Sequence, residues 1–74
     1  MASKNLNRLK VVLAEKRRTN KWLAEQVGKD QTTVSKWCTN SSQPDLGNLM
    51  QIAKILDVEL TDLVRFEEFK KGNV

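Results

Sequence analysis

The stretch Thr19–Trp37, TNKWLAEQVGKDQTTVSKW, decides the fold. Leu23, Ala24 and Val27 recur at helical spacing, and Thr19 ahead of them offers a side-chain oxygen to the first unpaired amides. A helix is therefore expected over about residues 20–27. Gly28 ends it, because a left-handed backbone at that point is cheap only for glycine. Asp30 then caps a second helix over about residues 31–39, whose inward stripe is Val34, Trp37 and Cys38. Two helices joined by so short a turn must cross steeply. Ala24 is small enough to stand at the crossing, Val34 plugs the wedge between them, and Trp37 anchors the pair to the rest of the core. The front of the second helix is nevertheless lined with small polar residues, where a buried helix would continue its apolar stripe. Something outside the chain is meant to touch them.

Outward from this pair, aliphatic residues keep helical spacing and no segment alternates long enough to argue for a strand. A helix over about residues 5–16 is expected to turn Leu6, Leu9, Val12 and Leu13 inward and a basic surface outward. TNSSQPD, residues 39–45, is loop-like: Pro44 cannot continue a helix, and Asp45 caps the next one. That helix, about residues 46–56, carries Leu46, Leu49, Ile52, Ala53 and Leu56; a fifth, about residues 60–68, carries Leu60, Leu63 and Val64. The expected architecture is all-α, with five helices in one domain over residues 1–74, a core of about 5–66 and a frayed tail of about 69–74.

Seventy-four residues bury only about 60 % of the surface that the unfolded chain exposes, so stability rests on a small core. Cys38 is the one cysteine, which leaves neither a disulfide framework nor a zinc spacing. The absence of histidine and of a Gly-rich phosphate loop argues against an enzyme, and Ser35 has nothing to activate it. No cofactor, metal or small-molecule ligand is expected. No apolar run approaches the roughly 20 residues of a membrane span, and a cytoplasmic location is expected. Charge is unevenly spread: residues 1–40 hold nine basic and three acidic side chains, residues 41–74 four and six. A basic first half points to a polyanionic partner, although a solvated basic face reads the same way in a sequence.

Leu23, Ala24, Val27, Gly28, Val34 and Trp37 together form a helix-turn-helix pattern. At these residues the chain resembles the phage-repressor and Cro-type helix-turn-helix domains. The likeness runs through TNKWLAEQVG and VSKW and resumes in PDLGNLMQIAKILDVELTDL, covering about residues 5–64. It implies that the helix over residues 31–39 enters the major groove of double-stranded DNA. It also implies a transcriptional regulator, repressor-like, acting as a homodimer on a two-fold site.

Carried over by position, the resemblance places Gln31, Thr32 and Lys36 where base-contacting side chains sit. Their chemistry agrees: glutamine can pair with adenine, lysine with guanine, and threonine can donate to a base or pack on a thymine methyl. Asn20 takes the place of a glutamine that holds a phosphate, and is one methylene shorter. Lys21, Lys29, Thr33, Ser35, Thr39, Asn40, Ser41 and Ser42 are further phosphate-contact candidates by location, each of which could instead be solvated or structural; Thr33 could support the Asp30 cap.

Two departures stand out. Leu13 and Cys38 occupy positions where the family often pairs an arginine with a glutamate, so an apolar contact is expected in place of an ion pair. Lys29 stands where a turn residue is usually apolar. Trp22, beside Leu23, is expected to cover the edge of the core, and Phe66 and Phe69 share a face if the last helix continues. The competing reading keeps the helix-turn-helix shape but not the base reading: a protein-interaction module or antitoxin subunit with weak or nonspecific DNA binding. Retention of Gln31, Thr32 and Lys36 weighs against it.

Overall fold

The computed structural model describes residues 5–65. Four α-helices follow one another as α1 (Leu9–Glu15), α2 (Asn20–Val27), α3 (Gln31–Cys38) and α4 (Leu46–Leu56), and a 3₁₀ turn spans Leu60–Leu63. The helix starts are built as the residue types dictate. Thr19 is extended and its Oγ1 accepts the Trp22 amide at 3.0 Å; Asp45 does the same for the Asn48 amide at 2.9 Å. Gly28 closes α2 at φ 71°, and Asp57 closes α4 at φ 58°, a left-handed position that aspartate tolerates better than most residues.

Two expected elements differ from what forms. The first helix begins at Leu9 and not near residue 5, because residues 6–8 pair elsewhere. Asn7 and Val64 make an isolated antiparallel bridge, in which the Arg8 amide donates to the Leu63 carbonyl and the Arg65 amide to that of Leu6, each at 2.9 Å. A helix through residues 6–8 would break both bonds. The expected fifth helix is, within the described residues, only the 3₁₀ turn. Glu59 and Asp62 form a reciprocal capping box around it, the Glu59 amide donating to Asp62 Oδ2 at 2.9 Å. Val64 is then extended, at φ −123° and ψ 156°, to reach Asn7. Residues 66–68 of that expected helix, the pair Phe66 and Phe69 and the tail 69–74 lie outside the described residues.

The core draws on every element. Leu9, Leu23, Val34, Ile52 and Leu63 are fully buried, with Val12, Leu13, Trp37 and Leu56 packed among them. Each large aliphatic side chain so buried stabilises by about 1.5–3 kcal/mol relative to exposure. Leu13 and Cys38 are both buried, which fills with apolar volume the place where an ion pair was a possibility. Leu46, expected inward, is 65% exposed: as the first residue of α4 it overhangs the core, and the buried stripe is Ile52, Ala53 and Leu56. Leu60 is also largely outside, at 37%.

Candidate nucleic-acid interface

Within this frame α3 packs through its apolar side. Val34, Trp37 and Cys38 are buried, and α2 is the element it packs against most extensively. Gly28 and Lys29 both donate their amides to the Ala24 carbonyl, so the turn is locked onto the end of α2. On the opposite side Gln31, Thr32 and Lys36 are exposed and Ser35 half-buried, and these four line one shallow polar depression. The small side chains between Gln31 and Lys36 leave the α3 backbone close to the surface there.

Around this face the other candidates fall into different environments. Lys21, in the first turn of α2, and Lys29, in the turn, are exposed. Asn20 is half-buried, and its Oδ1 accepts the Cys38 thiol at 3.2 Å, tying the start of α2 to the end of α3. Burial pushes the Cys38 thiol above its ordinary pKa, opposed by the positive charge of Lys10. Thr33 is half-buried and donates its hydroxyl to Asp30 Oδ1 at 3.4 Å. Asp30 is extended at the N-cap position, but its carboxylate takes that hydroxyl and no backbone amide, unlike the cap expected.

The loop after α3 returns sharply. The amides of Ser41 and Ser42 both donate to the Lys36 carbonyl, at 2.9 and 3.3 Å, and the Thr39 hydroxyl donates to the same oxygen at 3.2 Å. Thr39 and Ser41 share a hydroxyl contact of 2.9 Å and stay exposed, as does Ser42.

Asn40, expected at a phosphate, turns its side chain inward. It is 6% exposed, in the left-handed region at φ 62°, and its side chain is spent inside the protein. Oδ1 accepts the amides of Leu6 and Asn7 and the Gln43 side-chain amide, and Nδ2 donates to the Asn7 carbonyl at 3.2 Å. Asn7, 4% exposed, completes the network by donating Nδ2 to the Trp37 carbonyl at 2.9 Å and to Gln43 Oε1 at 2.7 Å, while its Oδ1 accepts the Leu9 amide. Asn40 therefore sets the loop's shape through its side chain. Sequence reading missed Asn7 and Gln43 altogether: Asn7 lies more than 30 residues from both Asn40 and Gln43, and no local pattern links them.

A family model for the Cro/C1-type HTH DNA-binding domain matches residues 8–68. The chain belongs to the Cro/C1-type helix-turn-helix family. Among solved structures it is similar to a crystal structure of a Bacteroides fragilis protein to which DNA binding is ascribed, at 57% identity and a TM-score of 0.80. The likeness covers 81% of this chain and 97% of that one. No curated protein matches the chain.

In this Cro/C1-type domain Gln31, Thr32, Ser35 and Lys36 come together around one depression at the polar front of α3, while Lys21, Lys29, Thr39, Ser41 and Ser42 are exposed on the neighbouring helix and turns. Trp22 is not part of that front. It packs half-buried against the core edge, with the Arg18 guanidinium 4.4 Å from its ring centroid, a cation–π contact. Among the described residues no helix is long and apolar enough to cross a membrane.

Proposed function

We propose that this chain is a sequence-specific binder of double-stranded DNA, a repressor-like transcriptional regulator that acts in the cytoplasm as a homodimer on a two-fold site. Helices α2 and α3 serve as its helix-turn-helix, and α3 lies in the major groove. One observation carries the reading: α3 is packed through Val34, Trp37 and Cys38, yet offers Gln31, Thr32, Ser35 and Lys36 to solvent around a single depression. Such a face has donors and acceptors at groove-reading reach, and every side chain lining it is polar. Family membership supports DNA as the partner.

Gln31, Thr32 and Lys36 contact base edges in this scheme. Asn20, Lys21, Lys29, Thr33, Ser35, Thr39 and Ser41 are placed toward phosphates, with Ser42 alongside, and fix the register. One such domain covers few base pairs, and pairing two copies sets two reading helices about 34–36 Å apart, one helical turn of DNA. The test is a matched set of affinities on duplexes differing at single base pairs. Gln31→Ala and Lys36→Ala each cost about 1–3 kcal/mol and relax preference at one position. Unchanged preference in both variants contradicts the assignment of α3.

A further inference from the structure

A second polar depression, of about 330 Å³, lies between the chain's N-terminal segment and the end of α3, away from the front of that helix. Asn5, Arg8, Lys10, Val11, Thr39 and Arg65 line it, with Cys38 beside them, and among the described residues no carboxylate does. Its floor includes Asn7 and Asn40, whose side chains are engaged in the network that joins them. The floor is thus fixed and electrically neutral, and the charge around it is positive.

Two of its cations are held in place. Arg8 donates Nη1 to the Asp62 carbonyl at 2.8 Å, and Arg65 donates Nε to the Asn7 carbonyl at 3.4 Å. Lys10 is exposed on the first turn of α1, near enough to Cys38 for its charge to be felt at the thiol. Cys38 also bonds Asn20, so the depression adjoins the start of α2, where a phosphate is already placed by the reading above.

From this we infer that the depression is an anion site for a phosphate oxyanion, and that in the complex it seats a DNA backbone phosphate, with Lys10 and Arg8 as the cationic donors and Thr39 as a neutral one. This rests on the DNA-binding reading. It extends the phosphate track from α2 across the end of α3 onto α1, through Arg8 and Lys10, which the helix-turn-helix pattern does not single out. Lysine and arginine at a phosphate act through charge and counterion release, with no dependence on sequence.

The experiment measures affinity for a fixed duplex against salt concentration, for wild type, Lys10→Gln, Lys10→Arg and the control Lys54→Gln on the far end of α4, with thermal unfolding of each as a check on folding. Lys10→Gln is expected to lower the magnitude of the log–log slope by about 0.9 and weaken all sequences alike, while Lys10→Arg and Lys54→Gln keep the wild-type slope. A Lys10→Gln slope equal to wild type overturns the site, even though wild type binds DNA. In a parallel arm inorganic phosphate is titrated while amide shifts around Thr39 and Lys10 are followed. Shifts there with an unchanged DNA slope mean a free-phosphate site and overturn the backbone assignment. Wild type that retains no duplex at any salt overturns the DNA-binding reading itself, and this assignment with it.

Discussion

Asn40 Oδ1 accepts the backbone amides of both Leu6, at 2.9 Å, and Asn7, at 3.0 Å, so one buried side chain joins the loop after α3 to the segment ahead of α1. Through Asn7 the same segment bridges Val64. The surface offered by Thr39 and Ser41 is therefore set by a contact on the inner side of the loop, and α1 begins where that contact lets it begin.

Removing the side chain leaves two amides, one buried and one partly so, without an acceptor, each costing about 1–3 kcal/mol. Asn40→Gly is expected to lose about 2–4 kcal/mol in urea denaturation. Asn40→Ala should lose about 1 kcal/mol more, because its Cβ resists the left-handed backbone at φ 62° that glycine accepts. Equal losses for the two variants indicate that the loop abandons that conformation.

Gly28 makes the complementary case. A Cβ there meets no atom within 4 Å, so only the backbone at φ 71° resists substitution. Gly28→Ala is expected to cost about 1–2 kcal/mol by thermal or urea unfolding, with the fold unchanged by circular dichroism. A much larger loss points to a steric role the turn does not show.

Cys38 gives a pH dependence with a definite sign. Its thiol is raised in the folded state, first by burial and against the charge of Lys10, so the unfolded chain ionises first. The contribution is fully present below the ordinary thiol value of 9.0 and declines as pH rises above it toward the folded value. The stability difference between wild type and Cys38→Ala, measured by urea midpoints, should be level below that value and shrink above it. A difference that grows with pH contradicts a buried neutral thiol.

On DNA, Lys21→Ala is expected to weaken binding to all duplexes by similar factors, whereas Lys36→Ala changes the order of preference among them. Competition assays against a panel of single-base variants separate the two behaviours. A sequence-dependent loss for Lys21→Ala means that it reaches a base edge.

Much of this was readable because it is local. Leu23, Ala24, Gly28 and Val34 announce two helices and a tight turn by spacing and residue type, and α2 and α4 have the expected bounds. The polar front of α3 was equally plain, since Gln31, Thr32 and Lys36 lie off the stripe that Val34 and Trp37 maintain. What escaped is long-range. Asn7 and Asn40 look like ordinary turn or surface residues, and nothing near either one shows that they face each other. The late start of α1 follows from that pairing. Glu59 and Asp62 did carry a local signal for a capped turn at Leu60, but apolar spacing at Leu60, Leu63 and Val64 argued for a longer helix. Leu46 fits the α4 stripe by spacing and is exposed because it precedes the part of the helix that meets the core.

The central claim is that α3 reads base sequence. Its most direct measurement is a selection from random duplex DNA at near-physiological salt, run in parallel with wild type and Lys36→Ala and followed by sequencing. The result expected is an enriched inverted repeat for wild type, with information lost at one position of each half-site in the variant. Salt-sensitive retention of all duplexes without enrichment, or an identical motif from both proteins, contradicts it.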